Sequence, residues 1–332
     1  MRQLLTIERF CLSSHVLSLL FGLAGLLLVL PNPIFIAALP PAGQTAFGWS
    51  MTFGGVAYIL LGAVTIAIYA YRTLGWRNWL AFMLPSIGLS LSSELLGTST
   101  GFPFGHYAYL SGLGYKIAGL VPFTIPLSWF YVGLSTYVLA RAGLEAKDVT
   151  GWKKQVGAIA IGALLLTAWD FVLDPAMSQT AYPFWEFQEP GQFFGMPYRN
   201  LSGWLGTGIV FMSVAAVFWR SQPMKLTRSQ LWVPLVVYLV NFAFGAVITV
   251  ASLDTRYWIP TAISVTIGVF PAIALWWIAQ PVTMEQVRST LEEAHQSNGL
   301  VANGLAANGL ANGLVETIDV QEVPTVTATS KL

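Results

Sequence analysis

Asp170 and Asp174 are four residues apart, a spacing that sets both carboxylates on one face of a helix, one turn from each other. They close one apolar run, and Glu94 stands late in another. A charged carboxylate is costly in apolar surroundings, and two side by side cannot both hold charge cheaply. One that keeps its proton can serve as a general acid, and one that has lost it can orient water and take up a proton. The plainer reading of the aspartates is a helix end, with one carboxylate solvated and the other paired to Arg199. For Glu94 it is a buried structural hydrogen bond to a neighbouring helix through Ser92, Ser93 or Thr98.

Other polar and aromatic residues gather at the same places in the chain. His106, Tyr107 and Tyr109 follow the Glu94 run, and Glu186, Glu189, Arg199 and Asn200 follow the Asp170 run. Asp254 and Arg256 stand before the last apolar run. The connection from Ala181 to Asn200 is dense in aromatic residues, among them Trp185, Phe193, Phe194 and Tyr198. An interfacial belt accounts for such residues in plain terms; a rim for a long apolar substrate, with ring faces turned to a developing cation, is the sharper reading.

Several chemistries have no support. His15, His106 and His295 are too few for a histidine-rich di-iron cluster, and one cysteine, Cys11, excludes an internal disulfide and a cysteine-rich metal site. No H-E-x-x-H, G-x-S-x-G or Walker pattern occurs, and Gly112-Leu-Gly114 and Gly206-Thr-Gly208 do not extend to G-x-G-x-x-G. Nothing in the chain calls for a metal, a redox cofactor or a nucleic-acid partner. Acid–base chemistry by carboxylates and tyrosines on a lipid-soluble molecule remains, or binding and transport without chemistry.

The elements that must position these residues are membrane helices. Of 332 residues 55% are hydrophobic and 9% charged, against roughly a quarter charged in soluble domains. The apolar residues fall in blocks long enough to cross a hydrocarbon core of roughly 30 Å. Breaks between blocks predict about eight spans. Four lie near Cys11–Leu30, Gly48–Ala70, Trp79–Leu96 and Ile117–Ala140, and four near Val156–Leu173, Gly203–Trp219, Leu231–Ser252 and Ile259–Ala279. The first block exceeds a signal-peptide core and lacks a clear A-x-A site, so it is read as a retained helix.

An even count returns both termini to one side, and the loops on that side hold nearly all the Lys and Arg. Arg72, Arg77, Arg141, Lys153, Lys154, Arg220 and Arg228 share it, whereas the opposite loops hold Lys116, Arg199 and Arg256. The expected fold is therefore an all-α polytopic membrane protein with N and C termini cytoplasmic and the carboxylates near the other face. Residues 1–282 form the expected transmembrane catalytic domain. Residues 283–332, polar and repeating Asn-Gly-Leu, are expected to be a disordered tail.

The run Glu94-Leu-Leu-Gly-Thr-Ser-Thr-Gly-Phe-Pro-Phe-Gly-His-Tyr-Ala-Tyr109 resembles the first motif of the CruF-type carotenoid 1′,2′-hydratase family, a membrane carotenoid-biosynthesis family of cyanobacterial type. Trp169-Asp170 leading to Asp174-Pro175, then Trp185-Glu186, Gly195-Met-Pro-Tyr-Arg-Asn200 and Gly203-Trp204 resemble its second and third motifs in order and spacing. The resemblance covers the middle third of the chain strongly and leaves the Asn-Gly-Leu tail outside.

It implies cofactor-free addition of water to the terminal double bond of a carotenoid ψ end, of γ-carotene or lycopene type, in a cyanobacterial plasma or thylakoid membrane. The product would be a tertiary alcohol on the way to myxol-type carotenoids (myxoxanthophyll), open to a later glycosyltransferase. On this reading Asp170 or Asp174 is the acid, Glu94 orients water, Asn200 and Tyr107 hydrogen-bond to them, and His106 is a proton relay. Trp169, Trp185, Trp204, Phe194 and Tyr109 line the substrate, and Arg199 is a structural counter-ion. Two other readings remain at this point: a transporter or lipid-binding protein with the carboxylates as an ion pathway, and a carotenoid cyclase or isomerase sharing the protonation step.

Overall fold

The computed structural model describes residues 2–220, 224 and 226–279, and the predicted tail from 283 lies outside the described residues. Helix α1 (Arg2–Ala24) runs on into a π-helical turn at Gly25–Val29. A short α2 (Pro33–Ala37) leads to α3 (Pro41–Leu74) and α4 (Trp76–Thr100). The bundle continues with α5 (Thr124–Glu145), α6 (Gly151–Ser178), α7 (Tyr198–Trp219) and α8 (Trp232–Ser252). It ends with α9 (Trp258–Ser264) and α10 (Phe270–Ile278), joined by a second π-helical turn.

Among the described residues seven helical segments are long and apolar enough to cross a membrane; α5 is not one of them. The protein is an all-α integral membrane protein. Helix α5 has the length of a span, about 33 Å at 1.5 Å per residue, but protein surrounds it. It packs against α3, α4, α6, α8 and α10, and nearly every residue from Thr124 to Gly143 is buried. A helix sheathed in protein need not be uniformly apolar, so α5 carries Ser128, Ser135 and Thr136. Their hydroxyls donate to the carbonyls of Ile125, Tyr131 and Gly133 at 2.8, 2.7 and 3.0 Å.

Several expected boundaries are corrected where the chemistry lies. The span expected from Ile117 begins at Thr124, because strand β2 (Lys116–Ile117) pairs antiparallel with β3 (Val121–Pro122) around Ala118 and Gly119, both at positive φ. Helix α6 runs five residues past the expected Leu173, so Asp174 lies inside it with Asp170 one turn before. Helix α7 starts at Tyr198 instead of Gly203, which puts Asn200 in its first turn and out of the connection. The segments that follow α4 and α6 meet in an antiparallel pair, β1 (Tyr107–Tyr109) on β4 (Trp185–Phe187).

Candidate active site

The β1–β4 pair explains why the chemistry-bearing residues alternate in the sequence. Tyr107 faces Phe187 and Tyr109 faces Trp185 across the ladder, while Ala108 lies opposite Glu186. Successive strand residues point to opposite faces, so the aromatic residues turn to the bundle and Glu186 is exposed. Hydrogen bonds from Leu110 N to Phe184 O and from Gln188 N to His106 O, both 2.8 Å, continue the ladder at either end. The pair forms a lid over the ends of α4, α6 and α7.

Under the lid, Glu94 of α4 accepts three hydrogen bonds. Trp129 of α5 donates its indole N–H to Oε1 at 2.8 Å, Tyr109 donates its hydroxyl to Oε2 at 2.9 Å, and Tyr107 donates to the same oxygen. Burial first, and then the neighbouring Glu94, hold the Tyr107 and Tyr109 phenols well above their usual range, so both remain protonated donors at neutral pH. Asp174 accepts from the Trp185 indole at 2.9 Å through Oδ1 and from the Asn200 amide through Oδ2. The same Asn200 amide nitrogen reaches Asp170 Oδ2 at 2.8 Å, confirming that the two aspartates share a helix face. Asp170 Oδ1 is buried and among the described residues has no hydrogen-bond partner.

All three carboxyl groups are nearly or wholly buried, with exposures of 0% for Asp170, 2% for Asp174 and 3% for Glu94. Among the described residues no salt bridge reaches any of them. Glu94, Asp174 and Asn200 open onto one cavity of about 40 Å³, walled by Tyr107, Tyr109, Trp129, Trp185 and Trp204. Such a volume exceeds the ~10–15 Å³ needed for one water molecule. The Trp129 and Trp204 rings stack with centroids 4.2 Å apart, and Trp169 meets the edge of Trp204 at 5.9 Å. Gly97 and Gly203, on facing helices, leave room for Phe104 behind the lid: a Cβ on either would come within 2.7 or 2.5 Å of its ring.

The family model for carotenoid biosynthesis proteins matches residues 54–271, a segment that holds all three carboxylates and both lid strands. The chain belongs to that family. A bisanhydrobacterioruberin hydratase from Haloarcula japonica is 35% identical over 130 residues, which is 38% of this chain and 42% of the relative. The match thus spans less than half of that curated relative. No solved structure matches the chain.

In this carotenoid biosynthesis protein the structure brings together Glu94, Asp170, Asp174, Asn200, Tyr107, Tyr109, Trp185 and Trp204, and it places four other sequence candidates elsewhere. Arg199 is exposed, with a guanidinium nitrogen 3.5 Å from Gly101 O, and among the described residues it pairs with no carboxylate. The counter-ion expected there is replaced by the neutral amide of Asn200. His106 is exposed, its ring against the glycine turn that ends α4. Phe194 packs on Phe193 and Tyr257, away from the cavity, and Trp169 stands behind Trp204 with its N–H on Asn241 O at 3.2 Å. Sequence reading missed Trp129, the partner of Glu94, because a tryptophan within an apolar run carries no local sign of what it meets 35 positions away. Phe104 could have been found, since it sits inside the motif that contains Glu94 and Tyr107.

Proposed function

We propose that the protein is a carotenoid hydratase that adds water across the terminal 1′,2′ double bond of an open ψ end of γ-carotene or lycopene type, in a cyanobacterial plasma or thylakoid membrane. The observation that carries this reading is the grouping of three buried carboxyl groups, without a cation partner among the described residues, two of which line one aromatic-walled cavity of water size. Family membership and the similarity to a carotenoid hydratase agree with it.

Hydration of a trisubstituted alkene begins with proton transfer to the less substituted carbon, leaving a tertiary cation. Asp174 lines the cavity and is the group placed to donate. Asp170 does not line it; its Oδ2 shares the Asn200 amide nitrogen with Asp174, so it acts through Asn200. The faces of Trp129, Trp204 and Trp185 and the carboxylate of Glu94 stabilise the cation. Water then adds to the tertiary carbon, and Glu94 takes the released proton. A protonated tertiary alcohol is a strong acid and gives up its proton readily to a carboxylate. Exchange with water returns a proton to Asp174, and the net reaction is alkene plus water to tertiary alcohol. That alcohol leads towards myxol-type carotenoids and is open to a glycosyltransferase.

The test is expression in cells that accumulate γ-carotene or lycopene, with extracted pigments separated and weighed by mass spectrometry. Wild-type protein is expected to give a pigment heavier by one water, hydroxylated at the 1′ carbon. Unchanged pigment from properly inserted protein, with both substrates present, overturns the proposal.

A further inference from the structure

The carboxylate cavity can take water and a reacting carbon, but at about 40 Å³ it cannot take a long hydrocarbon. A much larger hollow, about 670 Å³, lies between α1 and α3 and is closed at its inner end by Leu113, Met177 and Phe184. Its size is that of a typical ligand site, ~300–1,000 Å³. The two hollows have no lining residue in common, but their walls adjoin. Met177 follows Asp174 by three residues on α6, and Phe184 precedes Trp185 on the lid. Phe184 N donates to Met177 O at 2.7 Å, tying the two wall residues together.

We propose that the α1–α3 groove binds the polyene chain of the substrate and delivers its end group past Met177 and Phe184 to Asp174. The assignment rests on the hydratase reading for the identity of the occupant. The lining is apolar apart from the hydroxyls of Ser18, Ser50 and Tyr58; Ser50 donates to Phe47 O within its own helix at 2.8 Å. It offers no charge for a headgroup to meet, and a hydrocarbon fits it. The outer rim, with Phe21, Trp49 and Phe53 more than half exposed, belongs to helices whose outward faces are apolar, so entry is from the lipid. Helix α1 departs from α-helical geometry beside the groove, in the π-helical turn at Gly25–Val29, and such turns are frequent at functional sites. Gly25 and Gly54 both line the hollow, and a Cβ on either would have nothing within 4 Å. The chain leaves open space at the two positions where side chains would fill the groove.

Those two glycines supply the test. Gly54→Phe, the milder Gly54→Leu, and Gly25→Leu from the opposite wall add side chains to helices at open positions, where replacing glycine favours the helix. Gly48→Phe, on the same helix, outside the groove and also facing open space, is the control. Each protein is made in carotene-accumulating cells and purified in detergent; product formed and pigment retained per protein are both measured. Filling the groove is expected to lower both by roughly tenfold or more, with Gly48→Phe like wild type. Groove-filled proteins that convert and retain pigment like wild type overturn the assignment and leave the hydratase reading standing, with a lipid chain as the groove's occupant. Should wild type give no hydrated product, that reading fails by itself and pigment retention decides: a tenfold loss on filling keeps the groove as a polyene site, and equal retention or none in wild type overturns it.

Discussion

Carboxylates under the lid and away from it differ in their partners. Away from the lid, buried Glu8 receives two hydrogen bonds of 3.0 Å from Arg72, and partly buried Glu145 meets both Arg141 at 3.2 Å and Lys154 at 3.0 Å. Under the lid, Glu94, Asp170 and Asp174 meet indoles, phenols and one amide, with no cation in salt-bridge contact among the described residues. A paired carboxylate is fixed as an anion and its proton is unavailable. A carboxylate held only by neutral donors can keep or release a proton as its neighbours change. The first arrangement ties helices together; the second buries carboxyl groups with no cation to fix them among the described residues.

Exchanging charge for amide on each side sharpens the contrast most. Asp174→Asn and Glu94→Gln are expected to lower hydrated pigment by ~10²–10⁴-fold, the contribution of a positioned acid or base, with melting temperature in detergent unchanged or raised. A parallel loss of folded protein would place these residues with the structural carboxylates. Glu145→Ala should do the reverse: it deprives the buried Arg141 of its carboxylate, a change that costs about 3–5 kcal/mol. Folded yield and melting temperature should fall while conversion per folded molecule is retained, and reduced conversion without destabilisation would break the comparison.

Tyr107→Phe removes one of the three donors to Glu94, and a hydrogen bond to a charged group is worth about 1.5–3 kcal/mol, or roughly 10–100-fold in rate. Pigment analysis with Tyr109→Phe alongside measures it, and no change in either variant would mean that Glu94 needs no such support. The smallest effect is expected for His106→Ala, an exposed side chain off the cavity, with conversion within about twofold of wild type. A larger loss would restore the histidine to a proton path.

Particular residues show how far the chain could be read without its structure. Glu94, Asp170 and Asp174 were legible because ionisable groups beside long apolar runs are costly enough to have a reason. The spacing of Asp170 and Asp174 on one face follows from helix geometry, and α6 does persist through both. Arg199 misled, since the nearest cation in sequence is the natural partner for a carboxylate, yet its neighbour Asn200 makes the contact. One position along the first turn of a helix rotates a side chain by about 100°.

By itself the sequence determined the membrane helices and the acidic character of the site, because hydrocarbon length and the cost of buried charge act on each stretch of chain locally. Tertiary structure alone decided that α5 is wrapped in protein and begins only at Thr124. It also decided that Trp129 holds Glu94 and that the register of β1 on β4 aims Tyr107, Tyr109 and Trp185 inward. These contacts join residues distant along the chain, and helix packing and strand pairing, which local spacing does not encode, bring them together.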